Sequence, residues 1–317
     1  MSLEKGCVSA VDSPPQPGGS AAGSRLRAAV IGAGLLGIDL VHRISSSPSL
    51  VCALVVGGQN SARGLRLAAD LGCAVSTAGL DAVTAANVDV VFDASNASAR
   101  HWVELASTSA LLLDLTPSSG ATMIAPTVNG HLADSSRHLN LVSCGGQAVL
   151  PVLDVIARHS TPGAVQYVEV VTTAAAASVG RHTRLNLDEY IATTQTAVQQ
   201  IMLGGGSMSV NVKVLANITP ALPSPAFRAE VTTVAAGVDE HALRADLAAA
   251  AAAVRTFAPG YEITACRVEG GLVRVSVIVT AVCGALPAYA GNVEIINAAA
   301  VLLAERRAAT WKASREA

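Results

Sequence analysis

The sequence predicts two units of different class: an α/β unit built on a doubly wound parallel sheet, then an α+β unit with a largely antiparallel sheet. Three observations carry this. Apolar runs alternate with segments of helical period from Leu26 to His159, as parallel strands joined by crossover helices require. Beyond Ser160 the strands lengthen and fill with β-branched residues, as in VQYVEVVTTAA and LVRVSVIVTAV, which suits an antiparallel sheet. A chain of 317 residues also exceeds what one core usually supports.

The elements follow in order. LRAAVIGAG, from Leu26, is a continuous apolar strand, and LLGIDLVHRISSS carries apolar residues at helical spacing. Strands are predicted at Leu50–Val56, Val88–Phe92, Ala110–Leu115 and Leu139–Val142, with helices at Ala62–Leu71, Ala97–Ser107 and Ala148–His159. In the second unit, helices at Asp188–Met202 and Glu240–Thr256 interrupt the strands. The last segment, from Gly291, is a long helix with its charges gathered at the end, suited to packing back on the first unit. The expected organisation is a disordered leader over 1–24, a dinucleotide-binding unit over 25–143 joined by the helix 291–317, and a substrate and oligomerisation unit over 144–290.

Composition excludes several classes. The chain is 51% hydrophobic and 14% charged with net charge −2, so it has no basic footprint for nucleic acid. Its six cysteines lack paired CxxC spacing, which argues against a disulfide framework and a metal site. The first 24 residues are rich in Pro, Gly and Ser and lack an export signal. No apolar run reaches the ~20 residues a membrane span needs. A cytoplasmic protein is expected.

Gly32-Ala33-Gly34-Leu35-Leu36-Gly37 is G-x-G-x-x-G at the first strand-to-helix turn. Gly32 permits the tight turn, Gly34 lets the backbone approach a pyrophosphate, and Gly37 lets helix and strand pack closely. The helix N-terminus then favours an anion. This is the fingerprint of a Rossmann dinucleotide site. The end of the second strand, where an acid usually holds the ribose, reads Gly57-Gly58-Gln59-Asn60-Ser61-Ala62-Arg63 without one. NADP is therefore as acceptable as NAD, with Ser61 and Arg63 as phosphate contacts, or Arg63 is simply a solvated residue.

Cys144 lies where a strand ends and Gly145-Gly146-Gln147 lead into a helix. A helix N-terminus lowers a thiol's pKa, and the two glycines leave backbone N–H groups for a developing oxyanion. The residues alone also allow an inert, buried cysteine.

NLVSCGGQAVLP at Asn140–Pro151 resembles NMVTCGGQATIP, the nucleophile segment of the acylating acetaldehyde dehydrogenases. LDLTP at Leu113–Pro117 is similar to the family's IDLTP, AASVGRHTRLNLDEY at Ala176–Tyr190 to SKSAGPGTRANIDEF, and ALPAYAGNVEI at Ala285–Ile295 to YLPAYAGNLDI. The resemblance implies that Cys144 is an acyl-thioester nucleophile, with a nicotinamide cofactor and coenzyme A as co-substrate. It implies cofactor contacts from Ala33, Gly34, Leu35 and Leu36, from a second loop containing Ser178, Val179, Gly180, Arg181, His182, Thr183 and Arg184, and from Asn292. As a bare sequence position, Asn292 also reads as a helix N-cap. The substrates implied are a small aldehyde and an acyl thioester, on CoA or a carrier protein, in a homo-oligomer.

The departures bear on each expectation. The family's Asn-Ile in the glycine loop is Leu35-Leu36, and its Gly-Pro-Gly is Gly180-Arg181-His182. Its Arg-Asp-Thr-Val corresponds to Arg228-Ala229-Glu230-Val231, so alanine replaces an aspartate thought to assist catalysis. Glu230 is offset by one residue and points to the other face of a strand. His182 is a candidate substitute base or a phosphate contact. A long family insertion is reduced to a tight hairpin at Glu269-Gly270-Gly271, which argues against the aldolase partner that much of the family uses. Two further readings are a divergent enzyme for another aldehyde or semialdehyde, and a cofactor-binding scaffold without catalysis. Retention of SCGGQ argues against the scaffold.

Overall fold

A computed structural model describes residues 25–58, 61–95, 98–118, 120–161, 163–203 and 210–316. The expected leader, 1–24, lies outside the described residues. β1 (Leu26–Ile31) is buried at every position but Arg27, because it runs through the middle of a sheet covered on both faces. α1 (Leu35–Ser46), β2 (Leu50–Val56), α2 (Ala62–Asp70), β3 (Ala74–Ser76) and α3 (Leu80–Ala85) follow. Then come β4 (Val90–Asp93), α4 (Ser98–Leu105), β5 (Leu111–Asp114), β6 (Thr122–Met123) and β7 (His138–Asn140). The seven strands lie in the order β3-β2-β1-β4-β5-β7-β6, and every pairing is parallel. The winding reverses between β1 and β4, and that reversal opens a crevice at the strands' carboxyl ends.

α5 (Cys144–His159) opens at Cys144 rather than at Ala148 as periodicity suggested. The reason is capping: Ser143 Oγ accepts from the Gly146 N–H at 2.8 Å, which draws both glycines into the first turn. Thereafter β8 (Val165–Ala175), α6 (Arg181–Leu185), α7 (Leu187–Leu203), β9 (Asn211–Thr219), β10 (Phe227–Ala235), α8 (Glu240–Arg255), β11 (Tyr261–Glu269) and β12 (Leu272–Val279) complete the second unit. Its sheet runs β11-β12-β10-β8-β9, antiparallel except between β8 and β9. One face buries Val168, Val170, Ala229, Val231, Val275 and Val277 in one core with residues of α5, α7 and α8. Gly270 and Gly271, at φ +58° and +82°, make the two-residue turn between β11 and β12, a conformation that favours glycine.

α9 (Gly291–Glu316) returns to the first unit. Ile296, Ala299, Ala300, Leu303 and Ala304 join the core that contains β1 and α1. Buried polar groups fasten this contact. Asn297 Nδ2 donates to Leu36 O at 3.0 Å and to Asp39 Oδ2 at 2.8 Å, and Arg43 pairs with Asp39 and Glu294. Among the described residues no helix is long and apolar enough to cross a membrane, and no group of three His, Cys, Asp or Glu side chains stands ready for a metal.

Candidate active site

The chain turns sharply between β7 and α5. Val142 has φ +63°, rare for a β-branched residue and costly by about 1–3 kcal/mol. Asn140 Oδ1 holds the turn by accepting from the Val142 N–H at 2.7 Å. Ser143 then caps α5 and presents Cys144 as its first residue. Gly145 and Gly146 are required by crowding. A Cβ on Gly145 would lie 2.3 Å from Tyr190 Oη, and one on Gly146 2.6 Å from Val142 Cγ1.

Neither glycine leaves a free N–H for an oxyanion, which corrects the reading from sequence. The Gly145 N–H donates to Tyr190 Oη at 3.0 Å and the Gly146 N–H to Ser143 Oγ. Tyr190, buried on α7, also lies 3.6 Å from Cys144 Sγ. Burial raises the Cys144 thiol above its ordinary pKa, partly offset by the Tyr190 hydroxyl and the backbone N–H groups of Gly145 and Cys144. The expectation that the helix N-terminus lowers this pKa outright is not met: burial outweighs the hydrogen bonds that reach the sulfur. Tyr190 was not singled out from sequence. Its signal was the last letter of AASVGRHTRLNLDEY, where the similar segment ends in Phe.

Cys144 opens on a largely apolar cavity of about 80 Å³. Leu36 of the glycine loop, Ala94 after β4, Ser178, Val179 and Thr183 of the second loop, and Asn292 of α9 line the same cavity. The fold thus brings four segments far apart in sequence to Cys144. Gly32 has φ +101°, and a Cβ there would strike Ala94 O at 2.7 Å; a Cβ on Gly37 would strike Gly32 O at 1.7 Å. Gly34 faces open space and is the N-cap of α1. Asp93 steadies the turn after β4 by accepting from the Ser95 N–H at 3.0 Å and Oγ–H at 2.6 Å.

Asn292 lies inside α9 and does not cap it. Its Nδ2 donates to Ser178 O at 3.2 Å, and its buried Oδ1 has no partner among the described residues. That orphan acceptor has the chemistry to receive an amide N–H, and the open backbone at Gly34 has the space a pyrophosphate needs. These residues fit a nicotinamide dinucleotide. In the second loop, Arg184 donates to Val179 O and Ala176 O and so braces the loop itself. Arg181 is exposed, a Cβ on Gly180 would meet nothing within 4 Å, and the His182 side chain lies outside the described side chains. Leu35 is exposed at the loop's edge, while Ala33 is buried where α2 crosses it at Gly64. Ser61 is half-buried and Arg63 exposed at the start of α2.

Ala229 is buried beside Thr172 in the β8–β10 ladder. Glu230 is on the opposite, exposed face and accepts from Ser276 Oγ at 2.6 Å. The adjacent carboxylate therefore does not replace the missing aspartate.

Residues 144–287 match the family model described as prokaryotic acetaldehyde dehydrogenase, dimerisation. The chain is 48% identical over 284 residues to an acetaldehyde dehydrogenase of Streptomyces griseus, covering 89% of this chain and 90% of the relative. It is 34% identical over 295 residues to an acetaldehyde dehydrogenase of Pectobacterium atrosepticum, covering 89% and 95%. In fold it is similar to an aspartate semialdehyde dehydrogenase II of Vibrio cholerae, with TM-score 0.62, 13% identity and coverage of 89% and 98%. A Candida albicans aspartate semialdehyde dehydrogenase solved with NADP gives TM-score 0.61 at 12% identity, covering 89% and 99%. The identity shared along nearly the whole chain, on a fold with a dinucleotide crevice, makes this protein a member of the acetaldehyde dehydrogenase family and an NAD(P)-dependent aldehyde dehydrogenase.

Proposed function

We propose that the chain is a CoA-acylating aldehyde dehydrogenase working through Cys144: aldehyde, coenzyme A and NAD(P)+ give acyl-CoA and NAD(P)H, or the reverse. The observation that carries this reading is that Cys144 faces the same cavity as Leu36 of the glycine loop and Asn292. The Cys144 thiolate forms a C–S bond to the aldehyde carbon, and the carbonyl π pair moves to oxygen. A bound nicotinamide would supply the acceptor for the hydride on that carbon. The acyl group left on Cys144 is a thioester, so its energy is retained until the thiolate of coenzyme A displaces Cys144. Glycine-loop residues Gly32 to Gly37 would hold the dinucleotide's pyrophosphate, and Asn292 Oδ1 would orient its carboxamide.

The small apolar cavity suits a short acyl chain, in keeping with relatives named for acetaldehyde. The 57–63 segment contains no acid, so NADP is accepted as well as NAD. Residues 144–287, which match a dimerisation model, form the contact of a homo-oligomer. The reading requires no aldolase partner, since β11 and β12 are joined by Gly270-Gly271 alone.

The test is acyl transfer without cofactor. Incubated with acetyl-CoA alone, the protein should gain one acetyl group on Cys144, and Cys144→Ala none. A wild-type protein that binds NADPH yet gains no acyl group from any short acyl-CoA overturns the proposal.

A further inference from the structure

We propose that Tyr190 is a catalytic residue: its phenol donates a hydrogen bond to the Cys144 sulfur and stabilises the thiolate in a cavity whose described lining offers no basic side chain. The inference rests on the reading of Cys144 as the nucleophile. Its warrant is the arrangement of protons around one oxygen. Tyr190 Oη is 3.6 Å from Cys144 Sγ and accepts the Gly145 N–H at 3.0 Å. The backbone donor fixes the oxygen and leaves its own proton available to the sulfur. The described residues lining the cavity include no carboxylate, imidazole or cation.

The hydroxyls of Thr172 and Ser143 also reach the Tyr190 phenol, and each has a second partner. Thr194 Oγ1 donates to Tyr190 O at 2.7 Å, so the 2.7 Å bond between Ser143 and Thr194 is donated by Ser143. Thr172 Oγ1 donates to Leu215 O at 3.4 Å. Once Cys144 ionises, its charged sulfur outcompetes a neutral hydroxyl as acceptor for the Tyr190 proton. Burial holds the Tyr190 phenol well above its ordinary pKa, so it acts as a donor and not as a base.

The position also accounts for two departures at once. Ala229 stands across the ladder from Thr172. The Thr172 Cγ2 and Tyr190 Oη converge on the same point beside Gly145, 2.8 and 2.3 Å from where a Cβ would sit. The chain thus lacks a carboxylate at 229 and carries a hydroxyl at 190, on the side of the helix terminus where the nucleophile emerges. In the step itself, the Cys144 S–H proton leaves to solvent water and Tyr190 keeps its own. The sulfur electron pair forms the C–S bond as the C=O π pair moves to oxygen.

The experiment is Tyr190→Phe, which removes one oxygen. The pH midpoint for alkylation of Cys144 by iodoacetamide, read by peptide mass, should rise by about one to two pH units. Turnover at neutral pH should fall about 10- to 100-fold by the same constant and recover toward high pH, with NADPH affinity unchanged. An unchanged alkylation midpoint overturns the proposal even if turnover is lost. A raised midpoint in a protein whose wild type shows no acyl-CoA turnover leaves Tyr190 standing and overturns the proposed function instead. If Tyr190→Phe does not fold, wild-type protein carrying 3-fluorotyrosine takes its place. Its more acidic phenol should lower the midpoint, and no movement overturns the proposal.

Discussion

Gly145 has no room for a side chain in the first turn of the nucleophile's helix, so a single methyl group there reaches Tyr190 directly. In Gly145→Ala the new Cβ would meet Tyr190 Oη at 2.3 Å and Thr172 Cγ2 at 2.8 Å. Tyr190 must move, with a stability cost of about 1–3 kcal/mol, and aldehyde dehydrogenase activity should fall at least about tenfold for misplacement of this kind. Activity close to wild type would show that the Tyr190 contact is incidental. Gly37→Ala makes a different prediction, because its Cβ would meet a backbone oxygen, Gly32 O, at 1.7 Å. NADPH binding measured by fluorescence titration should weaken sharply while Cys144 alkylation persists. At this scale the glycine loop and the place of Cys144 at a strand-to-helix turn were legible in the sequence, since both are local patterns of residue type and order. Tyr190 and the orphan Asn292 Oδ1 were not, because each acts through a partner from another segment, Gly145 or Ser178.

Elements with strong period were read correctly and short ones were missed. β3, at three residues, and α3, at six, are too short for a periodic signal. The start of α5 was misplaced because two glycines read as loop until a cap recruits them. β5 and β7 also carry a titration signature. Burial raises Asp114 on β5 from 3.8 to about 6, although Thr116, Ser118 and Asn140 donate to it. The folded state takes this proton before the unfolded chain does, so Asp114 favours folding as pH falls from 6 to 3.8. His138 on β7 behaves oppositely. Burial first, then the Arg137 charge, lowers it from 6.5 to about 4, so the unfolded chain takes the proton first and stability is lost as pH falls from 6.5 to about 4. His138→Leu should therefore gain Tm relative to wild type progressively across that window, measured by calorimetry. A difference that stays constant with pH would contradict the assignment.

Across the whole molecule, α9 is the element that makes two units into one site. It supplies Asn292 to the cavity and seats Glu294 on Arg43 at 3.1 Å, with both side chains nearly or fully buried. Arg43→Met would leave Glu294 buried without its cation, a loss of roughly 3–5 kcal/mol, and should lower Tm and NADPH affinity together. A variant that unfolds as wild type does would remove α9's polar anchor from the account. The two-unit order was legible because strand composition changes near Ser160, and the return of α9 was legible from its apolar length. The Asp39, Arg43, Glu294 and Asn297 network was hidden, since it joins residues about 250 positions apart.

The central claim is that Cys144 carries the acyl group between aldehyde and coenzyme A, and one assay meets it directly. Purified protein mixed with NADPH or NADH and acetyl-CoA should lose nicotinamide absorbance steadily, and Cys144→Ala should not, while still binding the cofactor. Equal turnover in the two proteins, or none in the wild type with any short acyl-CoA despite bound cofactor, would contradict the account.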